Sequence, residues 1–322
     1  MQSKSHFSPA DPAMIATSEP SILEIQGISK RFENVVAVQG LSLSVPRGAI
    51  YGIIGPNGAG KTTTIRMILN IFAPDTGTIA LHFRNTSRAR NDSIGFLPEE
   101  RGLYKRMTVE DVLVYMAEIK SVPSRRSRPK IDEWLSRMGL SEWKKRKVQE
   151  LSKGMQQKVQ FISTILHEPQ LLVLDEPFAG LDPVNQEVLK DIVLELKAKG
   201  TTILFSTHVM EQAEKICDHL CMIDRGEKVL DGPLAGVKSK FGTDTLVVEG
   251  DLPPASLASL PGVTAIRSER HRHELTLAAG TDHQHLMSQV LSLGRVDGMQ
   301  RLQPSLHSIF LAMAGKAAEK HS

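Results

Sequence analysis

The chain has 322 residues, of which 41% are hydrophobic and 23% are charged, and its formal net charge is +3. This composition is ordinary for a soluble globular protein and provides no strong positive field, so we expect no nucleic-acid partner. Apolar runs stay shorter than the roughly 18 residues that a membrane helix needs, and the N-terminal segment lacks the apolar core of a signal peptide.

The N-terminal segment, residues 1–21, is rich in Ser, Pro and Ala and is predicted to be a disordered tail. The first element with a clear signature is a strand–loop–helix unit. The run AIYGII (49–54) is apolar and partly β-branched, which predicts a buried strand. Apolar residues in TTTIRMILNIF (62–72) recur at helical spacing and predict the helix.

The loop between them, GPNGAGKT (55–62), fits the pattern G-x-x-x-x-G-K-[ST]. Glycines let the backbone wrap so that successive N–H groups point at an anion, and the helix directs its positive dipole end to the same place. Lys61 adds a full charge for the terminal phosphates, and the Thr62 hydroxyl can bind Mg²⁺. The alternative, a chance glycine turn with an exposed lysine, is disfavoured by the strand–helix setting. The residues predicted to bind the nucleotide here are Gly55, Pro56, Asn57, Gly58, Ala59, Gly60, Lys61, Thr62 and Thr63.

A mostly helical insert is predicted after this unit, from about residue 99 to residue 147. DVLVYMAEIK (111–120) is amphipathic, and a second helix, IDEWLSRMGL (131–140), follows the stretch SVPSRRSRPK, which we interpret as a basic linker. The basic residues of this insert are interpreted as ordinary solvated surface, with contact to anionic lipid as the alternative.

A capped helix is predicted in LSKGMQQKVQFISTIL (151–166). Ser152 can cap its N-terminus, and the apolar residues that follow recur at helical spacing. Gly154 lets the backbone approach another group closely. Local chemistry alone predicts no further role for this segment.

The run QLLVLDEP (170–177) predicts a buried parallel strand that ends in two carboxylates. This ending places Asp175 and Glu176 at the carboxyl edge of the sheet, where α/β folds bind ligands. Asp175 can orient Mg²⁺ through its water shell, and Glu176 can polarise a water for attack on a γ-phosphate. The alternative is that both acids merely cap a helix.

A third strand, TTILFST (201–207), ends at His208. A histidine at a strand end is commonly structural, but beside a phosphate loop His208 becomes a candidate contact for the γ-phosphate. Cys217 and Cys221 lie four residues apart in a segment predicted to be helical, and we interpret both as buried structural thiols.

The C-terminal extension has the predicted order β-α-β-β-α-β followed by a last helix, PSLHSIFLAMAGKAAEK (304–320). This order predicts a ferredoxin-like sandwich with an added helix. Its histidines include an H-x-H pair, His271 and His273, which on a strand would share one face and could bind a metal. Surface histidines are the favoured interpretation, because no cysteine or well-placed acid completes a ligand set.

Together these motifs resemble those of the ATP-binding cassette (ABC) family. Ser152 and Gly154 in LSKGM match the family's signature loop, GLD (180–182) resembles its D-loop, and His208 resembles its switch histidine. Phe32 lies where the family stacks the adenine ring on an aromatic side chain. By this resemblance Phe32, Ser152 and Gly154 join the nucleotide-binding residues.

The resemblance implies an α/β fold with a P-loop NTPase core, a helical subdomain at about residues 99–165, and a small α+β ferredoxin-like domain. The nucleotide-binding domain is expected to span residues 22–236, and the accessory domain residues 237–322. The implied reaction is ATP hydrolysis with Mg²⁺. Its expected catalytic residues are Glu176, His208 and Lys61, and its expected metal-binding residues, acting directly or through water, are Thr62, Glu99 and Asp175.

Two departures from the family pattern indicate a sub-branch. Glu99 occupies the place of the usual glutamine, and Lys153 and Met155 replace common signature residues. With the segment LPEERGLY (97–104), these variants resemble the ATPases of sodium extrusion and antibiotic export, which carry an accessory C-terminal domain and work with a separate membrane subunit.

The resemblance also implies partners. One motif set requires a second nucleotide-binding subunit, identical or related, so that each ATP lies between the phosphate loop of one copy and the signature residues of the other. A separately encoded membrane permease and a peripheral place on the cytoplasmic face of the cell membrane are expected, with export as the direction. The alternatives are a soluble ABC ATPase that acts on ribosomes or DNA, and a catalytically silent cassette.

Overall fold

The computed structural model describes residues 21–84, 90–100, 102–241, 244–278, 280–302 and 304–319. Its strands are β1 (Ser21–Phe32), β2 (Val35–Pro46), β3 (Ile50–Ile54), β4 (Thr76–Leu81), β5 (Ile94–Leu97), β6 (Leu171–Asp175), β7 (Thr202–Thr207), β8 (His219–Asp224), β9 (Glu227–Pro233), β10 (Asp244–Asp251), β11 (Val263–Glu269), β12 (Arg272–Leu277) and β13 (Arg295–Leu302). Its helices are α1 (Lys61–Ile68), α2 (Val109–Ile119), α3 (Ser124–Arg137), α4 (Lys153–Ile165), α5 (Pro183–Ala198), α6 (Met210–Ile216), α7 (Leu234–Phe241), α8 (Pro254–Ala258), α9 (His283–Leu293) and α10 (Leu306–Glu319). The predicted disordered tail lies outside the described residues, except for Ser21. None of the described helices is long and apolar enough to cross a membrane.

The central sheet has the strand order β5-β6-β7-β3-β8-β9. All neighbours are parallel except β8 and β9, which are antiparallel. Every residue of β3, β6 and β7 is buried, as expected for parallel strands covered on both faces. The three predicted strands are therefore confirmed, and their carboxyl ends meet at one edge of the sheet.

The two faces of this sheet belong to two separate cores. Ile54 and Leu172 pack against the helices α2 to α6, whereas Ile53 and Val173 pack against α1 and a three-stranded antiparallel sheet of order β2-β1-β4. This second sheet was not predicted from the sequence. Its long strands are broken by register shifts, which obscure the alternating pattern that normally reveals a strand.

The helices α2, α3 and α4 lie between β5 and β6 in the chain, where a mostly helical insert was predicted. The interpretation of residues 121–130 as a basic linker was wrong, because α3 already begins at Ser124 and includes Pro129. The basic residues Arg128 and Lys145 form ion pairs with Glu110, a buried acid of α2. This ion pairing with another helix favours helix formation in the basic stretch, and it cannot be recognised from the local sequence.

The C-terminal sheet has the order β11-β12-β10-β13 with every neighbouring pair antiparallel. With α8 and α9 it forms the predicted β-α-β-β-α-β arrangement around its own small core. The predicted last helix, α10, leaves this core. Leu306 and Ile309 are buried in the larger core beside α6, and the Leu306 N–H donates to the Glu214 carboxylate.

Two finer predictions were wrong. Cys217 ends α6 and Cys221 lies in β8, so the two cysteines do not share a helix, although both are buried free thiols as predicted. Burial raises the pKa of both thiols. His271 lies in the turn before β12, whereas His273 is buried and shares a hydrogen bond with the Ser268 hydroxyl. The favoured interpretation as surface histidines was therefore wrong for His273, and the H-x-H pair does not present one face.

Candidate functional site

The phosphate loop connects β3 to α1 at the carboxyl edge of the central sheet. Gly55, Gly58 and Gly60 all have positive φ values, of 156°, 78° and 102°. A Cβ on Gly55 would lie 2.0 Å from the carbonyl oxygen of Ile223, and one on Gly60 would lie 2.3 Å from that of Ala37. Only glycine fits these two positions, so their identity is set by the backbone path of the loop.

Helix α1 begins without a side-chain cap. Its N-cap is Gly60, which has no side chain to accept a hydrogen bond from the first turn. The first N–H groups of an α-helix lack partners within the helix and carry the positive end of its dipole. The start of α1 is therefore a ready anion site.

Lys61 is the cation of this loop and is 6% exposed. Its Nζ donates to the carbonyl oxygens of Gly55 at 2.8 Å and Pro56 at 3.1 Å, so the loop holds the ammonium group in place. Burial lowers the pKa of Lys61, while the carboxylates of Glu176, Asp175 and Glu99 act in the opposite direction. Lys61 therefore lies across the site from three acids. Its positive charge would stabilise a polyanion bound between it and them.

The acid pair lies at the end of β6, as predicted. Asp175 is 1% exposed and accepts a hydrogen bond from the Ser206 hydroxyl. Glu176 is 7% exposed and has a φ of 49°, a left-handed conformation that costs a residue with a side chain about 1–3 kcal/mol. Glu176 therefore leaves the strand in a strained turn, a feature common where a side chain must be aimed at a reaction.

Glu176 and His208 are brought together by the ends of β6 and β7. The His208 backbone N–H donates to Glu176 Oε1 at 2.9 Å, and His208 Nδ1 lies 2.7 Å from the same oxygen. Thr207, which the sequence analysis missed, donates its hydroxyl to Glu176 Oε2 at 3.1 Å. Three hydrogen bonds from the consecutive residues Thr207 and His208 thus orient this carboxylate. In the sequence, the only local indication of the role of Thr207 is the pair of hydroxyl residues, Ser206 and Thr207, before His208.

A cavity of about 290 Å³ joins the phosphate loop to the carboxylates. Its lining includes Glu99, which lies two residues beyond β5, and Glu176. The full lining comprises Val35, Ala37, Asn57, Gly58, Gly60, Lys61, Thr62, Thr63, Glu99 and Glu176. Val35 and Ala37, from the start of β2, are further residues that sequence reasoning missed.

Phe32, the predicted adenine contact, ends β1 and is 44% exposed. The ring centroids of Phe32 and Phe72 lie 5.6 Å apart in an edge-to-face arrangement, and the Lys30 ammonium group lies 5.7 Å from the Phe32 centroid. Phe32 is not part of the cavity lining, although Val35, three residues later, is. An exposed ring at this place remains available for stacking.

Ser152 and Gly154 lie at the start of α4 and do not join the cavity lining given above. Ser152 is exposed and caps the helix by accepting a hydrogen bond from the Met155 N–H at 3.3 Å, as predicted. A Cβ on Gly154 would find Leu181 at 3.7 Å and Gly180 at 4.0 Å, which are ordinary contacts. Packing within this chain thus does not require glycine at position 154.

Comparisons with known proteins agree with this geometry. Residues 38–179 match the family described as ABC transporter, and residues 232–314 match the family described as ATP-binding protein DrrA1-3-like, C-terminal domain. The chain is 40% identical to the ABC transporter ATP-binding protein YhaQ of Bacillus subtilis, over 92% of this chain and 100% of YhaQ.

Two further matches extend the comparison. The chain is 35% identical to the Nod factor export ATP-binding protein I of Ralstonia nicotianae, over 92% of this chain and 94% of that protein. A solved structure of the ATP-binding subunit of an ABC transporter is 31% identical with a TM-score of 0.63, covering 69% of this chain and 94% of that one. The chain therefore belongs to the ATP-binding subunits of ABC transporters, which are ATPases with a P-loop fold.

Proposed function

We propose that this subunit binds ATP and Mg²⁺ at the cavity above, hydrolyses the ATP with Glu176 as general base, and thereby powers a separately encoded export permease. One observation carries the proposal: the phosphate loop, Lys61 and the oriented Glu176 carboxylate line one cavity. The uncapped start of α1 and the buried ammonium group bind the phosphates, and the carboxylate lies opposite them.

The chemical step uses groups whose positions are already held. Glu176 accepts a proton from water as the water oxygen forms a bond to the γ-phosphorus, and the bond between the γ-phosphorus and the leaving ADP oxygen breaks. Lys61 stabilises the charge on the terminal phosphates. His208, which holds the Glu176 carboxylate here, contacts the γ-phosphate through its other ring nitrogen.

The donor set suits Mg²⁺, because Thr62, Glu99 and Asp175 supply only hard oxygen ligands. No group of three or more His, Cys, Asp or Glu side chains that could hold a metal occurs among the described residues. Mg²⁺ commonly needs only one or two protein carboxylates beside phosphate oxygens and water, so this donor set fits. When bound, the ion neutralises charge on the phosphates.

A second cassette completes the site. Ser152 is exposed at a helix start, and Gly154 has no reason for its identity in the packing of its own chain. A surface glycine that its own chain does not require suits the close approach of another molecule. We infer that these residues, together with Phe32 on the other subunit, enclose ATP between two copies of this chain or between this chain and a related one.

The names of the relatives support a membrane partner and export as the direction of transport. One relative is named for Nod factor export, and the family match at residues 232–314 extends the likeness through the C-terminal domain. We infer from this likeness that the subunit lies at the cytoplasmic face of the membrane, held there by the permease. The transported molecule contacts the permease, so this chain does not define it.

Phosphate release by the purified full chain tests the catalytic assignment. Glu176→Gln removes the proton acceptor but keeps the size of the side chain, so kcat should fall at least about 100-fold while ATP binding is retained. Glu249→Gln makes the same change on the exposed surface of β10 and should keep the wild-type rate. Hydrolysis by Glu176→Gln at the wild-type rate would show that another group is the base.

Affinity purification from native membranes in mild detergent tests the partner assignment. Mass spectrometry of the tagged protein's companions should identify a stoichiometric membrane protein with several spans. Recovery of ribosomal or DNA-bound companions without such a protein would leave the ATPase chemistry standing and overturn the transport role.

A further inference from the structure

Two buried glutamines of α4 contact the segments that carry the catalytic and metal-binding carboxylates. Gln157 is 2% exposed, and its Nε2 donates to the carbonyl oxygen of Pro177 at 3.3 Å. Gln160 is 4% exposed, and its Nε2 donates to the carbonyl oxygen of Glu100 at 3.2 Å. The two acceptors directly follow Glu176 and Glu99 in the chain.

Both glutamines lie on one side of α4, three residues apart and within about two and a half turns of Ser152, which caps the helix. With a rise of about 1.5 Å per residue, Gln157 lies only about 8 Å along the axis from the residue that caps the helix. One rigid helix therefore joins the exposed Ser152 and the half-buried Gly154 to the backbone beside both carboxylates.

Each of the two side chains buries one polar atom without a hydrogen-bond partner among the described residues. The Oε1 atoms of Gln157 and Gln160 are buried and accept no hydrogen bond from the described part of the chain. A buried polar atom without a partner is destabilising, but Gln157→Met would also remove the donor of the buried Pro177 carbonyl, so a methionine of similar shape would leave stability about unchanged. Stability therefore does not explain the amides. Their single donated hydrogen bonds indicate that they position the backbone at Pro177 and Glu100.

We propose that Gln157 and Gln160 are positioning residues that tie the start of α4 to Glu176 and to Glu99. This inference rests on the proposed function, in which Ser152 and Gly154 contact the ATP of the second subunit. Contact at the start of α4 then displaces or holds Pro177 and Glu100 through the two amides, so that occupation of one ATP site sets the carboxylates of the other.

The two glutamines should affect different kinetic quantities when they are replaced. Gln157→Met removes the bond beside the base, so kcat should fall about tenfold while KM for ATP stays within about twofold, since a small displacement of a catalytic group suffices for such a loss. Gln160→Met removes the bond beside Glu99, so the Mg²⁺ concentration at half-maximal rate should rise about threefold or more. Both variants should melt within about 3 °C of wild type, because each loses one unpartnered Oε1 and one donated hydrogen bond together.

A matched control uses the same substitution at the opposite end of β6. Gln170 precedes this strand, and its Oε1 accepts a hydrogen bond from the Arg84 backbone N–H at 2.9 Å, far along the strand from Asp175. Gln170→Met should keep kcat, KM and the Mg²⁺ requirement within about twofold of wild type.

A double-mutant cycle decides whether Gln157 acts through Glu176. In single-turnover hydrolysis, Gln157→Met should add less than about twofold to the loss already caused by Glu176→Gln, because the group being positioned is gone. A full tenfold loss in that background, a wild-type kcat for Gln157→Met alone, or a lower melting temperature with unchanged kcat would each overturn the proposal. Wild-type hydrolysis by Glu176→Gln alone would instead overturn the assignment of the base.

Discussion

The phosphate-loop unit from β3 to α1 and the C-terminal β-α-β-β-α-β unit use the same kinds of elements but treat their polar groups differently. In the first, Lys61 is buried among carboxylates and backbone carbonyls, and α1 begins without a cap. In the second, Asp282 caps α9 by accepting hydrogen bonds from Gln284 and His285, and charged residues such as Arg267 and Glu269 pair on the surface.

The difference shows where this protein departs from ordinary packing. The C-terminal unit satisfies its helix start locally and keeps its charges in water, as a domain that only needs to be stable would do. The phosphate loop instead holds a strained Glu176 turn and an open helix start around one cavity. Such departures cluster where a ligand supplies the missing partner.

The largest expected effect comes from removing the buried cation of the first region. Lys61→Ala should lower kcat/KM for ATP by on the order of 1,000-fold, about 4 kcal/mol, because charge stabilisation of the terminal phosphates is lost. Initial rates of phosphate release over a range of ATP concentrations measure it. An unchanged KM would contradict the role of Lys61 in binding.

The next effect compares stability where the accessory region meets the larger core. Leu306→Ala should lower the free energy of unfolding by about 3 kcal/mol, because Leu306 is fully buried against the core beside α6. Leu311→Ala, on the exposed side of the same helix, should change it by less than about 0.5 kcal/mol. Urea unfolding monitored by circular dichroism distinguishes them, and equal losses would contradict the docking of α10.

A smaller effect concerns Glu110 of the helical insert, whose pKa is lowered chiefly by a hydrogen bond from Lys145 and further by Lys144 and Arg128. Because the folded pKa lies below the unfolded value, the carboxylate stabilises the fold above about pH 5, and this contribution is lost as pH falls through the folded pKa. Glu110→Gln should therefore lower the free energy of unfolding by about 1–3 kcal/mol at pH 7. The difference from wild type should shrink below pH 4, and a constant difference across pH would contradict the ionic origin.

The smallest effect is the sharpest comparison of the two regions. Gly58 in the phosphate loop and Gly280 before α9 have φ values of 78° and 83°, and a Cβ on either would contact nothing within 4 Å. Alanine at each position should cost about 1 kcal/mol of stability from backbone strain alone. Only Gly58→Ala should also weaken ATP binding, by about tenfold in titration calorimetry. Equal ATP affinity in both variants would show that the Gly58 backbone does not approach the phosphates.

The positions of many site residues could be predicted because each motif is a short continuous segment at the end of a strand. The phosphate loop, the Asp175–Glu176 pair and His208 each follow a buried strand, and parallel strands end at one edge of the sheet. The roles of these residues, and those that resemblance assigned to Phe32, Ser152 and Gly154, stay predictions. The C-terminal β-α-β-β-α-β order was predicted for the same local reason, since each element there has its own period and turn.

The predictions that were wrong, for α3 and for Cys221, share a different cause. Helix α3 begins in a basic stretch whose Arg128 pairs with Glu110 of α2, and Cys221 lies in β8 because that strand pairs with β3. Neither partner lies near the affected residue in the sequence. Local propensity is a weak preference that tertiary contacts override.

The sequence by itself determined which chemical groups this ATPase subunit possesses and at which strand ends they lie, because loop glycines, apolar periods and motif spacing are properties of short segments. Only the tertiary structure decided that Thr207 and His208 orient Glu176, that α10 leaves its own domain for α6, and that α4 contacts both carboxylate loops. These contacts join residues far apart in the chain. Their free energy exists only after the strands and helices have packed, so no short segment can indicate them.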